Sequence, residues 1–135
     1  MEFHRGRLFD HVQLRVADLG RSLSFYRAVL EAIGHADALT EGPDFFWADE
    51  LYVDKADGPV SRVHIAFQAE DEAMVRRFHE LALAAGGVDH GAPGPRDYHP
   101  RYYAAFVRDP DGNNVEAVYH GPSTRSAESV VFKPL

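Results

Sequence analysis

The chain contains no cysteine, which excludes disulfides, thiolate metal sites and a cysteine nucleophile together. It has no apolar run long enough to cross a bilayer. Its start, MEFHRGRLFDHVQLRV, lacks the apolar stretch and small-residue cleavage site of a secretory signal. A cytoplasmic protein is the expectation. Positive charge is also scarce, with 14 lysines and arginines against 21 aspartates and glutamates and a formal charge of -7. That balance argues against nucleic acid and against an anionic membrane surface, and leaves a small molecule as the expected partner.

What is present is ordinary in bulk. At 135 residues, 45% apolar and 26% charged, the chain is long enough for one domain with a real core. Eight histidines in so small a cysteine-free chain are more than such a composition calls for.

Phe9 to Val16 alternates in the strand manner, with Val12, Leu14 and Val16 on one face and His11, Gln13 and Arg15 on the other. Asp18 then stands as an N-cap. Leu19, Leu23, Tyr26, Leu30 and Ile33 follow at helical spacing until Gly34 stops the run. Phe45 to Val53 reads as one or two short strands, and the tract Asp54 to Ser61 reads as a linker.

From Arg62 the pattern returns. His64 matches His11, Phe78 matches Phe25 and Gly87 matches Gly34 in one ungapped register, an internal repeat of strand, helix and stop. After the second helix, Val88 to Pro100 is rich in Gly, Pro and His and reads as a long loop, the kind of segment that often serves as a lid. Asp109, Pro110, Asp111 and Gly112 fill the places of a type I turn, so Tyr102 to Arg108 and Val115 to His120 form a hairpin. The tail from Gly121 is polar until Val130, Val131 and Phe132, which can dock on the domain or on a second subunit.

Period-two geometry places Glu116 and His120 on the same face of the last strand. An inward carboxylate is costly unless it is paired or binds a cation. His11 and His64 hold equivalent places in the two copies and can converge about a pseudo-twofold axis, with Glu116 joining them. Two imidazoles and one carboxylate suit a divalent first-row metal with open positions. The plainer alternative is a pair of hydrogen-bonded histidines left from an ancestral duplication.

His99 precedes Pro100, is thereby held extended, and is flanked by Tyr98, Tyr102 and Tyr103. On the functional reading, His99 and Tyr103 serve as acid/base groups while Tyr102 supplies an aromatic wall; the alternative is an exposed loop with surface aromatics. His120 falls toward the rim, where it contacts a substrate, as do Gln13 and Trp47. Gln13 can also orient His11.

The stretches FDHVQLRVADLGRSLSFYRAVL, RVHIAF and DPDGNNVEAV resemble the vicinal oxygen chelate superfamily. That superfamily includes glyoxalase I, extradiol dioxygenases, fosfomycin-resistance transferases, methylmalonyl-CoA epimerase and bleomycin-binding proteins. The resemblance implies an α+β fold of two βαβββ modules in tandem, about 8–56 and 62–121 with a tail at 122–135, forming a curved mixed sheet around a cavity. It also implies a homodimer that can exchange modules.

Carried over residue by residue, the resemblance makes His11, His64 and Glu116 the ligands of one divalent ion per site, Fe2+, Mn2+, Zn2+ or Ni2+. A fourth ligand, present in glyoxalase I, has no counterpart, because the matching strand offers DFFWADELYV with Trp47 at the inward place. The implied activity is that of a lyase, isomerase or dioxygenase on an oxygen-chelating substrate. A metal-free binder of an aromatic antibiotic and a fosfomycin-type thiol transferase are the alternatives, the latter resting on Arg125.

Overall fold

The computed structural model of the chain describes residues 2–135. The alternating run at the start gives β1 (Val12–Val16), and the helical stripe gives α1 (Leu19–Ala32). A short 3-10 turn, Ala36–Ala38, leads to β2 (Leu39–Glu41), β3 (Phe45–Ala48) and β4 (Leu51–Lys55). The order then recurs as β5 (His64–Gln68), α2 (Glu72–Ala84), β6 (Val88–Pro95), β7 (Tyr103–Arg108) and β8 (Asn114–Tyr119). Each half is a βαβββ module with its own four-stranded sheet, ordered β1-β4-β3-β2 and β5-β8-β7-β6. In both, the first strand runs parallel to the last and the other pairs are antiparallel. Among the described residues no helix is long and apolar enough to cross a membrane.

The repeat extends to the helix ends. Asp18 caps α1 by accepting from the Arg21 amide at 3.0 Å, and Asp71 caps α2 by accepting from the Met74 amide at 2.7 Å. At the far ends His35 N donates to Leu30 O and Gly34 N to Glu31 O, as Gly87 N does to Ala82 O and Gly86 N to Leu83 O. These are the paired bonds of a Schellman stop. The left-handed residue is Gly34 (φ 82) in the first copy but Gly86 (φ 98) in the second, so the breaker expected at Gly87 sits one place earlier.

Gly87 instead marks a close contact between the modules. A Cβ there would lie 2.4 Å from Val107 Cγ1 and 2.8 Å from Phe25 Cε2. Gly87→Ala is expected to lower stability by about 1–3 kcal/mol through overpacking; an unchanged urea midpoint would show that the neighbours yield.

One hydrophobic cluster spans both halves. It takes Leu14, Val16, Phe25, Tyr26, Val29, Phe46 and Val53 from the first and Val75, Phe78, Val107, Val115 and Ala117 from the second. The hairpin turn adds a polar fastening. Gly112 N donates to Asp109 O at 3.0 Å, closing the expected turn. The buried Asp109 carboxylate accepts from Tyr26 Oη of α1 at 2.6 Å, from the amides of Asp111 and Asn113, and from Asn113 Nδ2. Asn113 Oδ1 accepts from the Val63 amide, and Asp111 Oδ1 from the Ala17 amide. The tract between the modules is likewise tied down, with Ala56 N bonded to Val16 O and Ser61 N to Arg15 O.

Two expectations need correction. Val88 to Pro100 is not all loop: β6 occupies Val88–Pro95 and pairs with β7, with register shifts between Asp89 and Gly91 and between Gly91 and Gly94. A sheet-edge strand tolerates prolines whose missing N–H faces outward, and bulges absorb the glycines, so a loop-like composition still pairs. The first strand begins at Val12 rather than Phe9, which leaves His11 just outside the ladder. In the tail, Val130, Val131 and Phe132 are exposed.

Candidate functional site

Each sheet buries one face and leaves the other open. On the first sheet Leu14, Val16, Phe46 and Val53 face the core, whereas Gln13, Trp47 and Tyr52 line an open hollow of about 250 Å³ with His11 and Asp49. On the second sheet Ile65, Phe67, Val115 and Ala117 belong to the core, so period two sends His64, Ala66, Asn114, Glu116 and Val118 to the other side.

Glu116 is the centre of that second face. It is 2% exposed, the most buried carboxylate among the described residues. Glu116 Oε1 lies 2.8 Å from His64 Nε2, and Oε2 accepts a hydrogen bond from Tyr102 Oη. Asn114 Oδ1, on the same face, is buried with no partner among the described residues. The segment after β6 folds across the sheet, closed by a hydrogen bond from Arg96 N to Tyr102 O. Tyr102 packs against Ala104, Phe106 and Val118, and the Arg96 guanidinium lies 5.4 Å from the Phe106 ring centroid.

Tyr102 also anchors a cluster of rings. Tyr98 and His99 meet it edge-on at 4.9 and 5.2 Å, and His120 does so at 5.2 Å. His99 stacks on His120, with His99 Nε2 2.8 Å from His120 Nδ1. Burial pushes the Tyr102 hydroxyl up from its usual pKa, and its hydrogen bond to Glu116 adds to this. Burial lowers the His120 pKa, aided by His99 and Arg5. Burial thus favours the neutral form of His120.

The structure brings together His64, Glu116, Tyr102, His99 and His120. It does not bring the other sequence-predicted residues to them within one chain. His11 stands just before the first strand, its side chain 63% exposed and its Nδ1 2.6 Å from Asp10 Oδ1. Among the described residues no group of three or more His, Asp or Glu is gathered as a metal would require. Gln13 donates to both Asp54 oxygens at 3.0 Å rather than to His11. Trp47 stands over the first hollow, 39% exposed. Tyr103 lies on the helix side of β7, where its hydroxyl accepts from Arg76 at 3.4 Å. Arg125 donates to Gln68 at 3.0 Å.

Sequence reasoning missed Asp10, Asp49, Tyr52 and Arg96. Of these, Tyr52 was within reach, because its cross-strand pairing with Trp47 follows from the short reversal at Asp49-Glu50.

Two tandem βαβββ modules, each with a helix on one face of its sheet, define a paired-module α+β protein. Over residues 8–117 the sequence matches the Glyoxalase/Bleomycin resistance protein/Dioxygenase superfamily, and the chain belongs to that superfamily. It is similar to a glyoxalase/bleomycin resistance protein from Albidiferax ferrireducens T118, at 27% identity over 82% of this chain and 97% of the other, with a TM-score of 0.67. A glyoxalase-related enzyme from Fulvimarina pelagi aligns over 96% of this chain and 99% of its own, at 19% identity and a TM-score of 0.70. Lactoylglutathione lyase from Agrobacterium tumefaciens aligns over 85% and 95%, at 23% identity and a TM-score of 0.57. A comparison with curated proteins finds no match.

Proposed function

We propose that the protein is a metal-dependent enzyme, of lyase, isomerase or dioxygenase type, acting on a small substrate with two adjacent oxygens. Its divalent ion is held by His64 and Glu116 of one copy and His11 of a second. The observation that carries the reading is the burial of Glu116 beside a half-exposed His64, on the sheet face away from the helices and under Tyr102. A buried carboxylate with a neighbouring imidazole and the orphaned Asn114 oxygen makes an acceptor-rich set, which suits a cation. One chain supplies too few ligands, and the open hollow beside His11 offers the missing imidazole if two copies lay unlike sheets face to face.

In this arrangement Tyr102 fixes Glu116 Oε2 and leaves Oε1 to share with His64 Nε2. A divalent ion bound there supplies Lewis acidity toward the adjacent oxygens of the substrate. His120, hydrogen-bonded to His99, accepts a proton from the substrate, and the bond to His99 orients its ring. Trp47 and Tyr52 of the second copy add an aromatic wall.

Elemental analysis of protein purified without chelators should find about one divalent ion per chain, in a dimer by sedimentation. Iron would favour oxygen chemistry and zinc or nickel isomerase or lyase chemistry. A second reading, a metal-free binder of planar aromatic compounds, draws on the ring cluster of Tyr98, His99, Tyr102 and His120. Metal-free protein with micromolar affinity for such a compound would select it.

A further inference from the structure

We propose a second ligand site, on the helix side of β7 and β8, that takes a small planar carboxylate between the Arg101 guanidinium and the rings of Tyr103 and Tyr119. It stands independently of the metal reading. A hollow of about 310 Å³ opens there, lined by Arg101, Tyr102, Tyr103, Tyr119, Glu72 and Pro95 among others. Tyr103 and Tyr119 are direct cross-strand partners, and both pack against the main core, so the floor is a rigid pair of rings. The volume is at the small end for ligand pockets, which restricts the guest to one ring or its equivalent.

The charge of the hollow decides the sign of the guest. Glu72 lines it, but Arg76 lies 3.7 Å from the Glu72 carboxylate and also donates to Tyr103 Oη, so that negative charge is balanced. Among the described residues the Arg101 guanidinium has neither a hydrogen bond nor an acidic partner. The hollow therefore offers one unpaired guanidinium to an anionic guest.

The backbone is shaped to put it there. Arg101 has φ 70, a left-handed conformation uncommon for a residue with a side chain, and a Cβ on Gly121 would meet Arg101 Cβ at 2.9 Å. A side chain is absent where Arg101 must lie and present where glycine would be easier. One guanidinium fork matches one carboxylate, whereas a phosphate dianion would call for further cations. Tyrosine faces accept a planar body.

The test is a titration of the full chain with benzoate, followed by amide shifts in proton-nitrogen NMR spectra. Saturable shifts are expected at Tyr103, Tyr119 and Gly121, with a Kd of about 1 mM. Arg101→Gln should weaken binding about tenfold or more, and neutral benzamide should bind the wild-type chain correspondingly less well. Arg101→Gly relieves the left-handed strain, so it keeps the fold while removing the guanidinium, and it should bind benzoate as poorly as Arg101→Gln. Equal affinity in the Arg101 variants, shifts confined to Phe106 and Val118, or no saturable shift up to about 10 mM would each overturn the proposal.

Discussion

Asp109→Ala should lower the stability of the protein by about 3–5 kcal/mol, as removal of one member of a buried hydrogen-bonded charge network does. The carboxylate is 4% exposed and accepts four hydrogen bonds, from Tyr26 Oη, two amides and Asn113 Nδ2. Alanine leaves the Tyr26 hydroxyl and the Asn113 amide group buried without acceptors, and each such orphan costs about 1–3 kcal/mol.

Tyr26→Phe removes only the donor and should cost less. It also changes the response to alkali. Burial raises the Tyr26 hydroxyl well above its ordinary 10.0, and the neighbouring Asp109 raises it further. Above about pH 10 the unfolded chain releases this proton while the folded one keeps it, so stability falls as pH rises through that range. Urea unfolding from pH 8 to 11 should show that decline in the wild type and a shallower one in Tyr26→Phe. Parallel curves would mean that the hydroxyl titrates alike in both states.

The second large effect concerns assembly. His11→Ala and Glu116→Ala should each lose nearly all bound divalent metal, yet the two variants refolded together should recover about a quarter of the wild-type content per chain. If copies pair symmetrically, half of the randomly formed dimers are mixed, and each mixed dimer has one site with all three ligands intact and one with neither His11 nor Glu116. Recovery on mixing requires ligands from different chains. Metal lost in both parents and not regained on mixing would place the three ligands within one chain, and metal retained by Glu116→Ala would remove that residue from the site.

Much of this fold was legible because its signals are local. Alternation at Val12–Val16 and His64–Gln68, the aspartate caps and the Asp109–Gly112 turn each depend on a few neighbours, and the repeat made one half corroborate the other. β6 was not legible, since its prolines and glycines pair only because a sheet edge and register shifts accommodate them. Parity along β8 placed Glu116 and His120 together but said nothing of the loop that lays Tyr102 and His99 over them. Parity also separates Tyr103 from Tyr102, and the contact of His11 is with Asp10, a neighbour whose side chain no periodicity directs. The place of His11 relative to His64 depends on how sheets meet, which no stretch of sequence encodes locally.

The tie between the inter-module tract and β1 bears on how copies of the chain can associate. A strand at the margin of a sheet is a template for aggregation unless it is covered, short or irregular. On the first sheet, β1 is bonded on its outer side at Arg15, whose N donates to Ser61 Oγ and whose O accepts from Ser61 N, and the opposite margin, β2, is only 3 residues long. On the second, β6 is broken by register shifts and β5 has 5 residues. Continuous strand addition, the route toward fibres, is therefore poorly supported at the β1, β2 and β6 margins, whereas the sheet surface carrying Trp47 stays available for contact between copies.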